Sequence, residues 1–197
     1  MPRQNRVQPD GEILAHPARG GFMGNRGILH DEHGLHPRRR WRHQNWVCCV
    51  LAFKNRRRAL MAPGHYTELF FHDEAVALAA GHRPCAECRR ADYLRFRAAA
   101  GLPGPAAALD AQLHRERAVP RVYQQRRHEA ELSELPDGAF ILSPEGVPEL
   151  KWRGALRPFA PGGYGAPRST KAGMVTVLTP PTTLNALRTG YVPQVAL

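Results

Sequence analysis

No apolar run in this sequence approaches the roughly 18 residues that a membrane-spanning helix requires, so no membrane association is expected. The opening residues, Met1-Pro2-Arg3-Gln4-Asn5-Arg6, lead into polar positions and not into the apolar stretch of a secretory leader. The expectation is a cytoplasmic protein. Cysteine is scarce, with four residues, and in a reducing compartment a Cys-x-x-Cys pair points to a metal site and away from a disulfide framework. Lysine is scarcer still: 25 of the 28 basic residues are arginine. Acidic residues are also few, 17 in all, which leaves a net charge of +11.

That charge is unevenly placed. Residues 1–60 carry a net +8 and the remainder +3. A block of this kind gains from releasing counterions on a polyanion, and arginine grips phosphate with two parallel hydrogen bonds. The densest part, Arg38-Arg39-Arg40-Trp41-Arg42, mixes cations with an indole that can stack on an unpaired base, and Arg56-Arg57-Arg58 adds a second basic edge. Nucleic acid is therefore the expected partner. Solvated arginines set by genome composition are the plain alternative.

Local patterning divides the chain into four stretches: an irregular basic arm over 1–45, a compact module over 46–97, a helical segment over 98–135, and a mixed β region with a short last helix over 136–197. Within them, 46–53, 59–61 and 66–71 read as strands. Asp73 caps a helix that Gly81 stops, and further helices fall near 89–100 and 106–118. Residues 121–135 are a weaker, polar helix candidate. Strands follow at 139–142, 149–152 and 174–178, with a loop rich in proline and glycine over 158–165 and a final helix ending at Gly190. The expected fold class is α+β.

The strongest chemical signal is Gly81-His82-Arg83-Pro84-Cys85-Ala86-Glu87-Cys88. A Cys-x-x-Cys turn presents two thiolates to one tetrahedral ion, so Cys85 and Cys88 are the expected zinc ligands. Extended upstream to Phe70-Phe71-His72-Asp73-Glu74-Ala75, the stretch 70–89 resembles the second half of the Ada-type zinc-binding domain, the metal-binding module of bacterial DNA alkylation-response proteins. The family binds zinc with four cysteines. The resemblance implies that Cys85 and Cys88 are the third and fourth ligands, that DNA is the partner, and that the role lies in DNA damage or modification recognition and repair.

Upstream the pattern departs from that family, which has Cys-x-x-x-Cys where this chain has adjacent Cys48-Cys49. Neighbours on a strand point to opposite faces, so one cysteine reaches the metal. Cys49 is the favoured ligand, with Cys48 packing as a small hydrophobe. A locally bent strand would bring both to the metal, and His30, His33 or His43 are the histidines available as a fourth ligand.

Two enzymatic readings compete. His30-Asp31-Glu32 with Pro84-Cys85-Ala86-Glu87-Cys88 has the letters of a zinc deaminase, with Glu32 as the proton shuttle, although the glycine and proline that follow break the required helix. Asp110 and His114 stand four residues apart on one helix, a spacing that permits a carboxylate-oriented histidine in a hydrolase. A structural or protein-interaction module is the third class.

Overall fold

Short strands need partners, and here they find them far along the chain. The computed structural model describes residues 1–55 and 59–197; the expectation for Arg56, Arg57 and Arg58 falls outside the described residues. The fold is α+β. Six strands form the first sheet in the order Ile13–Ala15, Gln4–Val7, Leu69–Phe71, Phe22–Asn25, Val47–Cys49, Arg83–Pro84. Gln4–Val7 runs parallel to Leu69–Phe71, with Arg6 opposite Phe70, and Val47–Cys49 runs parallel to Arg83–Pro84. The segment 1–45 is therefore not an irregular arm. It supplies three strands to this sheet, each so short that no alternating pattern shows in the sequence.

Helix α1 (Glu74–Ala79) crosses the inner face of the sheet and is buried along its whole length. Its start is fixed by the Asp73 carboxylate, which accepts a hydrogen bond from the Val76 N–H at 2.9 Å. Its end is fixed by Gly81 at φ +83°, where a side chain would run into Arg117. The small side chains of Ala75, Val76, Ala77 and Ala79 let α1 sit between two sheets, since Val7, Phe22, Leu69 and Phe71 on one side and Phe140, Leu150 and Phe159 on the other share one core.

The second sheet runs in the order His128–Glu131, Met174–Val177, Phe140–Leu142, Pro148–Trp152, Ala155–Ala160, Gly163–Tyr164, with Arg168–Ser169 against Ala155–Ala160. Helices α2 (Arg90–Ala99), α3 (Ala106–Arg117) and α4 (Pro181–Arg188) close one end around Leu78, Phe96, Leu113 and Leu187.

Three local expectations are corrected. Residues 121–135 do not form an α-helix: Arg121 and Tyr123 adopt positive φ (69° and 57°), which a helix excludes, His128–Glu131 becomes an edge strand paired to Met174–Val177, and only Leu132–Glu134 makes a short 3-10 turn. An edge strand polar on both faces leaves no period for the sequence to reveal. Residues 59–61 form turns instead of a returning strand, and the 158–165 loop folds as a hairpin in which Phe159 pairs with Tyr164.

Candidate metal centre and pocket

The site begins with the alternation of one strand. On Val47–Cys49, Cys48 faces the core and is 0% exposed, while Cys49 faces outward. The register Met23–Cys49 and Met23–Phe70 places Cys49, Met23 and Phe70 in one outward row across three strands. Val47 and Asn25 are paired in the next row on the same face. The Arg83–Pro84 strand then pins the cysteine knuckle beside Cys49: the Cys85 N–H donates to the Cys48 carbonyl at 2.9 Å, and the Arg89 N–H closes the turn on the Cys85 carbonyl at 3.1 Å.

Cys49, Cys85 and Cys88 meet there, with every pair of sulfurs within 4.8 Å. Tetrahedral zinc–thiolate bonds of about 2.3 Å would set sulfurs roughly 3.8 Å apart, so the three thiols can hold a metal ion with little movement. Charge is already organised for it. The hydrogen bond from the Cys49 thiol, helped by the backbone amides of Cys88 and Glu87, brings the Cys85 thiol down to about 5. The same hydrogen bond and burial hold Cys49 well above its ordinary range, and burial raises Cys88. Cys85 is thus the first to carry the thiolate charge.

The other proposed ligands lie elsewhere. Cys48 packs inward with its sulfur 3.4 Å from the Arg89 guanidinium, and burial raises its pKa, so a bent strand presenting both cysteines is not what the chain forms. His30 spends both ring nitrogens, one on the Thr67 hydroxyl at 2.6 Å and one on the Ala62 carbonyl at 3.3 Å. His33 pairs with Glu32 in a turn where both side chains are more than four-fifths exposed (86% and 85%). His43 lies beside Gly27, with its Nδ1 buried and unpartnered. Among the described residues no histidine joins the three sulfurs, and the His30–Glu32 deaminase arrangement is not assembled.

The Asp110–His114 pair is not assembled either. Asp110 is buried and accepts two hydrogen bonds from the Arg83 guanidinium, at 2.8 and 2.7 Å, so its carboxylate is committed to an ion pair 27 residues away in sequence. His114 instead packs edge-on against Trp41 and Trp46, and burial, with the nearby Arg117 charge, lowers it to about 4. Trp41 is half-buried and packs against Trp46, Tyr123 and His114. Of the arginine block, Arg38 and Arg42 are exposed, Arg39 is half-buried, and Arg40 bonds the His36 and Pro37 carbonyls.

The outward face was missed in the sequence. Together with Val50, Leu51, Phe53, Leu60 and Tyr66 it borders a pocket of about 730 Å³, lined by all three cysteines and by Met23, Asn25, Glu68 and Phe70 among others. Glu68 is only 3% exposed and accepts a hydrogen bond from the Met61 N–H at 2.7 Å. A lone glutamate before a strand carries no motif, and only the alternation that makes Thr67 and Leu69 core residues marks Glu68 as facing the other way.

No family model, curated protein or solved structure matches the chain. No helix among the described residues is long and apolar enough to cross a membrane.

Proposed function

We propose that Cys49, Cys85 and Cys88 hold one zinc ion as three thiolates, that the ion's fourth position faces the pocket, and that the protein is a zinc-dependent nucleic-acid-binding protein whose metal centre receives a ligand. Three soft sulfur donors suit zinc over the hard divalent cations. The observation that carries the reading is that all three cysteines line one pocket of about 730 Å³. A purely architectural zinc site is closed by four protein ligands, whereas a site with three protein ligands leaves room for a substrate. When bound, the metal supplies a Lewis acid at the pocket wall. The chain's own residues hold it, line the cavity with Phe53, Tyr66 and Phe70, and present the Glu68 carboxylate within the same cavity. The +8 charge of residues 1–60 is the support for a polyanionic partner.

Metal analysis and cobalt substitution test this. Expected are about one equivalent of zinc and a thiolate–cobalt spectrum that shifts when imidazole is added. Less than about half an equivalent of metal overturns the centre, and a spectrum indifferent to imidazole overturns the open position. Binding to a single-stranded oligonucleotide is expected to weaken steeply with salt; a flat dependence removes the nucleic-acid partner.

A further inference from the structure

The pocket has a second pole. Gly24 pairs with Leu69 in the antiparallel register, so one further step brings Asn25 opposite Glu68, on the face that carries Cys49 and Met23. The Asn25 carbonyl oxygen is taken by the Gly27 N–H at 3.3 Å, which leaves its amide nitrogen as a donor. Glu68 holds one backbone N–H and keeps acceptor capacity on a carboxylate that is almost wholly buried. An acceptor and a donor therefore stand side by side. Cys49 at the metal pole lies one strand across from Asn25 and two across from Glu68, two residues out of register with each, roughly 8 and 12 Å away. Aromatic side chains, Phe53, Tyr66 and Phe70, line the space between.

We propose that this pocket takes a nucleobase: a planar ring stacked among the aromatic walls, its N–H edge donated to Glu68 and its adjacent ring or carbonyl acceptor bonded by Asn25, with the far side of the ring toward the metal pole. The inference rests on the zinc reading for that far pole and on Asn25 and Glu68 for recognition. A carboxylate beside an amide reads the donor–acceptor edge shared by adenine, guanine and cytosine. Aromatic walls supply sequence-tolerant stacking. The charged groups lining the pocket, among the described residues, are Glu68 and Glu87, which disfavour a phosphate inside. The base comes either from a free nucleoside or from a nucleotide turned out of a strand, as enzymes acting on bases require.

Equilibrium dialysis of the zinc-loaded full chain decides it, with cytidine, guanosine and ribose 5-phosphate as small probes. A single-stranded oligonucleotide, intact or with one central abasic residue, identifies the source. Nucleosides are expected to bind at least about tenfold more tightly than ribose 5-phosphate, and Asn25→Asp, which keeps the oxygen for Gly27 but replaces the donor, is expected to lose that margin. Glu68→Gln is the second variant, read in the same way should the first not fold. An affinity drop at the abasic site identifies a base held within a strand; nucleoside binding without that drop identifies a free nucleoside. Ribose 5-phosphate matching the nucleosides, or nucleoside binding unchanged in the variants, overturns the inference. Zinc measured on the same samples separates the two ideas: full zinc without base preference removes the base, while base preference without zinc removes the metal alone.

Discussion

Cys48 and Cys49 are chemically identical neighbours with opposite surroundings. Cys48 lies in a core closed by α1 and the second sheet, 0% exposed, its sulfur near a guanidinium that also pairs with Glu74 at 2.7 Å. Cys49, one peptide further, looks onto a pocket and two more sulfurs. The difference between a packing residue and a candidate ligand is therefore set by strand alternation alone. The inner face packs against α1 and the second sheet, while the outer face turns Cys49, Asn25 and Glu68 toward a pocket.

The comparison breaks most visibly at the outer face. Replacing Cys85 by Ser is expected to abolish metal binding and, at free zinc about a thousand times the dissociation constant, to remove about 4 kcal/mol of stability. For a chain of this size that is a fall in Tm of roughly 8–16 °C. Calorimetry with and without chelator checks it: chelator should lower the parent's Tm and leave Cys85→Ser unchanged.

A loss of comparable size is expected where α3 meets the knuckle. Arg83 and Asp110 form a buried pair, and Arg83→Ala leaves the carboxylate uncompensated at a cost of about 3–5 kcal/mol. The Arg83→Ala/Asp110→Ala double variant should recover part of that cost in urea unfolding, because the pair's partners fall together. A catalytic Asp110 would show no such recovery.

These two sites also mark how far the sequence could be read. The helices were legible because their punctuation is local: Asp73 before α1, Gly81 after it, and the glycine and proline run between α2 and α3. Cys85 and Cys88 were legible for the same reason, being three residues apart. The strands of 1–45 were not, since Arg6 pairs with Phe70 and the stretches are three or four residues long. Asp110 looked available to His114 because the i, i+4 spacing is visible, while the better partner, Arg83, is brought in only by the tertiary fold. Glu68 belongs to the same class, a residue whose role is written in pairing and not in neighbours.

Acid provides a test that depends on the inner side of the fold. His82 is buried, with Nε2 accepting from Arg26 at 2.9 Å, and burial lowers its pKa well below 6.5; His114 falls from 6.5 to about 4. Both are neutral in the folded chain while the unfolded chain takes up protons, so the unfolded state binds more protons below pH 6.5. These two histidines should make stability fall between pH 6.5 and about 4, measured as a declining urea midpoint. His114→Gln should flatten the decline. A parent midpoint that rises on acidification would mean that these histidines charge within the fold.

The smallest effect sharpens the comparison most. Cys48→Ala removes one buried sulfur and is expected to cost about 1–2 kcal/mol, an ordinary loss for a truncated core side chain, with zinc content unchanged. Cys49→Ala removes a side chain that fills no core, yet it should empty the centre and weaken zinc retention by orders of magnitude, because two thiolates remain where three were. Packing and ligation thus predict opposite rankings of adjacent substitutions: Cys48→Ala worse for the metal-free chain, Cys49→Ala worse for the metal-loaded one. Paired denaturation curves in zinc and in chelator read both rankings at once. Should Cys48→Ala lose the metal and Cys49→Ala keep it, the strand would have to be turned over, since a one-residue slip exchanges the two faces entirely.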